Sequence, residues 1–153
     1  MGLYIENKLI YTFGLNENKT NIHILKIVSR FNYYVKDVIK YIIDYLDTDK
    51  DIIKTIDDNI CFFPEVPNDI IVYRGGKMKI KNRPYLSGTF LYDVGFNYSN
   101  GNIKNLHKII VKKGARIIPL YPFNKLYNFA DPEMEIILDS SRLTKKLNYY
   151  IYK

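Results

Sequence analysis

Between Thr20 and Leu46 the apolar side chains recur in steps of three and four, and after Asn68 that period gives way to short runs between turn residues. Leu25, Val28, Phe31, Val35, Val38, Ile42 and Leu46 fall on one stripe of a 3.6-residue repeat, which predicts a long amphipathic helix. Thr20 or Asn21 would cap its start. A second, shorter helix, capped by Thr48 or Asp49, would carry Ile52, Ile53, Ile56 and Ile60, and Pro64 and Pro67 then close the helical part. The later runs read as strands: Ile70–Arg74, Pro84–Leu91, Lys108–Val111, Ala115–Leu120, Glu135–Leu138 and Leu147–Tyr152. Breaks fall at Gly75-Gly76, Asn100-Gly101 and Lys113-Gly114. Helices first and strands afterwards imply an α+β fold. With no repeat, linker or low-complexity tract, residues 1–153 read as a single domain, helical over about 18–63 and strand-rich over about 68–153.

The composition narrows the function classes. The chain has 153 residues, 47% hydrophobic and 15% aromatic, which argues for a packed core and against disorder. No apolar run approaches the ~18 residues that span a bilayer. The first residues, Met1-Gly2-Leu3-Tyr4-Ile5-Glu6, lack the basic-then-apolar order of a secretory leader, so the expected location is intracellular, host cytoplasm included, with a secreted effector as the alternative. The net charge of +7 invites a nucleic-acid reading, but Lys outnumbers Arg 18 to 5, and Ile, Lys, Asn and Tyr make up 71 of the 153 residues. Those four residues have AT-rich codons, and the lysines are scattered, so a solvated surface accounts for them. The same bias fits a low-GC bacterium, a phage or a large DNA virus.

One cysteine, Cys61, excludes an internal disulfide and a thiolate metal cage, and its place before Phe62-Phe63 suggests a buried, inert thiol. His23 and His107 are far apart, without a cysteine cluster, and read as structural; no metal site is expected. Asp57-Asp58 reads as the solvated face of the second helix.

Two carboxylates, Glu133 and Glu135, stand two residues apart at the mouth of an apolar strand, Ile136-Ile137-Leu138. On an extended chain they project the same way, roughly 7 Å apart. Like charges side by side repel, so the pair is a candidate for acid-base or charge-stabilising work on two reacting molecules. Upstream, Arg74 ends an apolar strand and precedes two glycines, where a guanidinium fork suits a phosphate and glycine permits close backbone approach. Ser87 lies thirteen residues later, in a strand ending at Gly88-Thr89, placed to orient a neighbouring carboxylate.

Taken in order, Tyr73-Arg74-Gly75, then Ser87-Gly88-Thr89, then Glu133-Met134-Glu135, the chain resembles the Arg-Ser-Glu class of mono-ADP-ribosyltransferases. More closely it resembles the subclass whose Glu-x-Glu motif serves arginine modification. The likeness covers about residues 30 to 152, and includes helices leading into a first core strand at Pro67–Arg74 and the strand at Lys113–Ile118 before the glutamate loop.

The resemblance implies N-terminal helices packed on a split, mixed or antiparallel β core, and an NAD-dependent glycosyltransferase of the toxin-like effector kind that needs no metal. NAD would be a co-substrate. Arg74 would hold its pyrophosphate, and the Gly75 backbone would bond the nicotinamide carboxamide. Ser87 would brace Glu135. Glu135 would bond the 2′-hydroxyl of the nicotinamide ribose and stabilise positive charge as the glycosidic bond breaks, while Glu133 would face the acceptor. Phe96 or Tyr98 would pack on the nicotinamide, and Tyr121–Asp131 would form the substrate-recognition loop. The partner implied is a target protein carrying the acceptor arginine, with slow NAD hydrolysis as a side activity. Transfer to a nucleic-acid base, or a catalytically silent binding module, are the alternatives. The family's central motif reads Ser-Thr-Ser, whereas here it is Ser87-Gly88-Thr89.

Overall fold

The computed structural model describes residues 50–62, 65–78, 84–119 and 135–153. The expected helix over Thr20–Leu46, the recognition loop Tyr121–Asp131 and Glu133 lie outside the described residues.

Helix α1 (Lys50–Asn59) runs into a single 3-10 turn at Ile60–Phe62 and buries Ile56 completely. The strands follow: β1 (Ile70–Gly75), β2 (Tyr85–Thr89), β3 (Leu106–Val111), β4 (Ile118–Pro119), β5 (Glu135–Asp139), β6 (Leu143–Lys145) and β7 (Tyr150–Tyr152). A short helix, α2 (Tyr92–Tyr98), interrupts them after β2. Among the described residues the sheet has seven strands in the order β4-β5-β2-β1-β3-β7-β6. Only β3 and β7 pair in parallel; every other neighbouring pair is antiparallel.

The sheet is divided. β1 and β3 pair over six residues, Ile70↔Val111 to Gly75↔Leu106, and β2 and β5 over five, Tyr85↔Asp139 to Thr89↔Glu135. Between these ladders β1 and β2 share a single pair, Tyr73↔Thr89. Half of the sheet is therefore β4-β5-β2, half is β1-β3-β7-β6, and one rung joins them.

Alternation along the strands explains the core. Val72, Ile109, Val111 and Tyr152 from one half, with Ile136 and Leu138 from the other, are completely buried in one cluster that also takes in Val66 and Ile117. Tyr152 closes the cluster: its hydroxyl donates to the Arg116 carbonyl at 2.7 Å and accepts the Asp139 N–H at 3.3 Å. Burial pushes that hydroxyl up to about 12, so it stays a neutral, satisfied core phenol.

Several expectations are corrected. Cys61 is exposed, because the 3-10 turn carries it to the surface, where Arg116 bonds its carbonyl at 3.0 Å. Asp57 is not merely solvated: it accepts a hydrogen bond from the buried Tyr85 hydroxyl and ties α1 to β2, while Asp58 pairs with Lys54 at 2.5 Å. Of the run expected as one strand over Leu147–Tyr152, only Tyr150–Tyr152 is strand (β7); it pairs back on β6, and the turn between them leaves Leu147 93% exposed. The extended run over Pro84–Leu91 stops at Thr89, and the helix α2 that follows has no counterpart among the expected elements.

Candidate active site

At the seam between the two halves, Tyr73, Arg74, Gly75, Ser87, Gly88, Thr89, Val94, Gly95, Tyr98 and Glu135 line a cleft of about 240 Å³. Register explains why it opens there. The Gly76 N–H donates to the Asn105 carbonyl at 2.9 Å, on the β3 side. Alternation then turns the N–H and C=O of Gly75 the other way, toward β2. The next rung after Tyr73↔Thr89 would pair Gly75 with Ser87, and the ladder stops before it. In place of that rung, Arg74 Nη1 donates to the Ser87 carbonyl at 2.8 Å and to Ser87 Oγ at 3.0 Å, and its Nη2 donates to the Lys77 carbonyl at 3.3 Å. A guanidinium thus holds the strands apart while satisfying a carbonyl that a ladder would have used.

Helix α2 forms one wall. Its sequence, Tyr-Asp-Val-Gly-Phe-Asn-Tyr, is short and poor in strong helix formers. It begins where Thr89 Oγ1 accepts the Leu91 N–H at 3.0 Å. It ends in a Schellman arrangement: Asn100 at φ 56°, Gly101 N–H to the Phe96 carbonyl at 3.3 Å, and Asn100 N–H to the Asn97 carbonyl at 3.1 Å. Glycine lets the helix lie directly on β1. A Cβ on Gly75 would stand 2.2 Å from the Gly95 carbonyl oxygen, and one on Gly95 would stand 2.8 Å from Tyr73 Cβ. Gly88 answers a milder approach, since a Cβ there would lie 3.2 Å from the Tyr73 carbonyl and 3.6 Å from Ile136 Cγ1. That fit is the physical reason for a glycine at the centre of Ser87-Gly88-Thr89.

Glu135 opens β5 on the far side of the cleft, directly opposite Thr89. Burial alone pushes its carboxyl up to about 7, because a largely desolvated carboxylate is costly to ionise. Ser87 lies opposite Ile137, so Ser87 and Glu135 are diagonal neighbours on one face of the β2–β5 ladder rather than a direct pair.

Arg74, Gly75, Ser87, Tyr98 and Glu135, all named from the sequence, are therefore brought to one cleft. Phe96 is placed elsewhere: it is not among the lining residues and stacks on Tyr92, ring centroids 6.2 Å apart. Tyr92 in turn meets Tyr73 edge to face at 5.3 Å. Thr89 and Gly95 are among the lining residues to which the sequence assigns no site role. Thr89 stands across from Glu135, and the hydroxyl-bearing third position of Ser87-Gly88-Thr89 is the signal for it. Gly95 is the contact that seats α2, and nothing local distinguishes it from a loop glycine. Among the described residues no group of three or more His, Cys, Asp or Glu gathers as a metal site would require.

No protein-family model matches the sequence, and neither does any curated protein. Among solved structures the fold is similar to Plx2a, an ADP-ribosyltransferase toxin from Paenibacillus larvae, at 14% identity over 99% of this chain and 90% of that one, with a TM-score of 0.44. It is also similar to an ADP-ribosyltransferase from Clostridium botulinum, at 13% identity over 96% and 90% of the two chains, with a TM-score of 0.42. Both likenesses are too distant to bear on chemistry, which this chain's own residues must carry.

Proposed function

We propose that this chain is a mono-ADP-ribosyltransferase that takes NAD into the seam cleft and transfers ADP-ribose to an arginine of a target protein, releasing nicotinamide. One observation supports the reading above all others: Arg74, Ser87 and Glu135, from three different strands, line the same cleft in the order that the motif resemblance requires.

The chemistry follows from the roles of these groups. The bond between the ribose anomeric carbon and the nicotinamide nitrogen breaks, its electron pair leaves with nicotinamide, and positive charge builds on the sugar. Glu135, as the carboxylate, stabilises that charge, as paired carboxylates do in glycoside hydrolysis. Arg74, anchored on Ser87, offers its charge to the pyrophosphate, and the Gly75 edge faces the carboxamide. Tyr98 is the aromatic at the nicotinamide. Glu133, two residues before Glu135, would orient the incoming guanidinium, whose nitrogen forms the new bond to the anomeric carbon and then loses a proton to solvent. Holding that nitrogen at attack distance supplies much of the advantage. A Glu135 carboxyl titrating near 7 means activity that rises with pH through neutrality, as the carboxylate fraction grows.

The test is labelled-NAD transfer to proteins and to nucleic acids, run side by side with two variants. Glu135→Gln is expected to lower both NAD cleavage and transfer by roughly 10²–10³. Glu133→Gln is expected to keep slow NAD hydrolysis and lose arginine modification. Normal transfer by both variants overturns the assignment, label on nucleic acid alone changes the acceptor, and no label anywhere with no saturable NAD binding makes the chain a silent module.

A further inference from the structure

The turn that follows β1 is pinned from several sides. Gly76 sits at φ +94°, its N–H goes to the Asn105 carbonyl at 2.9 Å, and Arg74 Nη2 reaches the Lys77 carbonyl at 3.3 Å. The remaining group, the Gly76 carbonyl, lies 2.8 Å from Nε2 of His107. A carbonyl only accepts, so Nε2 carries the proton in that bond. His107 stands on β3 directly opposite Arg74, and its ring meets the buried Tyr150 edge to face, centroids 5.8 Å apart. The ring is thus held by a packed aromatic on one side and spends its donor on the carbonyl of Gly76, the residue after the cleft residue Gly75.

We propose that His107 is a positioning residue for the cleft: its Nε2–H, donated to the Gly76 carbonyl, fixes the backbone edge of Gly75 that faces the ligand. The proposal rests on the dinucleotide reading above and goes beyond it, since His107 is not among the lining residues and acts on the cleft through this turn. Gly75 needs such support. Its strand has lost its β2 partner by that point, so the ligand-facing N–H and C=O have no strand on their own side and depend on the β3 ladder and the turn behind them. Burial keeps the imidazole pKa below its usual value, against the bond to Gly76, and the charges of Arg74 and Lys145 act in the same direction as burial. The neutral ring with a single N–H, on Nε2, is the form this geometry uses.

Two substitutions in the full chain separate positioning from plain core packing. His107→Leu fills the space without a donor, and His107→Gln carries an amide N–H near the place of Nε2. Without NAD, amide exchange at Gly76 should quicken about tenfold in His107→Leu and stay near wild type in His107→Gln. With NAD, His107→Leu should raise KM for nicotinamide release about tenfold and leave kcat within about twofold, with recovery in His107→Gln. Wild-type exchange and KM in His107→Leu would overturn the proposal, and so would equal losses in both variants. Wild-type protein that takes up no NAD would sink the dinucleotide reading instead, and the Gly76 exchange rates would still decide whether the clamp exists.

Discussion

The β1–β3 ladder and the β1–β2 seam are built from the same strand, yet one is closed over six pairs and the other over one. On the ladder side, backbone pairing and buried Val72, Ile109 and Val111 do the holding. On the seam side the work passes to side chains: Arg74 bonds Ser87, Thr89 starts α2, and glycines at 75 and 95 let the helix close the wall. A sheet left unzipped along one edge would expose unmet backbone groups to a partner strand. Here the opening is only one rung wide before a guanidinium fills it, which leaves a cleft rather than a sticky edge.

The largest effect should fall on the ladder. Ile109→Ala removes a completely buried side chain from the shared cluster and should cost about 2–5 kcal/mol in urea unfolding. NAD affinity of the folded fraction should be little altered, and a large loss of affinity without a loss of stability would break the division between the regions.

Next comes Glu135. Its folded pKa, about 7, lies above its ordinary value of 4.5, so between those limits the folded state keeps a proton that the unfolded chain has lost. Stability therefore falls as pH rises through that window, by up to about 3 kcal/mol, and the cost persists above it. Glu135→Gln should lack this fall, so the variant should gain on wild type as pH rises from 4.5 to about 7. Parallel pH–stability curves for the two proteins would show that the seam is wetter than the geometry implies.

Smaller still is the effect at the helix contact. Gly75→Ala sets a methyl against backbone atoms of α2 that cannot rotate away, and should cost about 1–3 kcal/mol. Because α2 must shift, Tyr98 moves with it, and NAD binding should weaken beyond what stability alone explains. Unchanged binding in that variant would separate α2 from the site.

The same contrast decides what is legible in the sequence. Strands such as Ile70–Gly75 and Glu135–Asp139 can be read because their apolar residues are concentrated and bounded by turn signals. The positions of Arg74, Ser87 and Glu135 are readable from a motif order. Helix α2 is not, since it carries a mid-helix glycine and no strong propensity, and tertiary packing on Gly75 is what holds it. Choosing Tyr98 over Phe96 requires knowing which face of that helix meets the cleft. β3 begins two residues before the apolar run suggests, because Leu106 and His107 are drafted into pairing by Gly75 and Arg74. Asp57 reads as solvated because its partner, Tyr85, lies 28 residues away.

The most direct test is to titrate the labelled protein with NAD and follow backbone amides. Saturable shifts confined to Gly75, Ser87, Thr89, Tyr98 and Glu135 are expected, with the β6–β7 hairpin silent. Shifts that saturate on the hairpin, or no shift at the seam at millimolar NAD, would contradict a dinucleotide site between the two halves of the sheet.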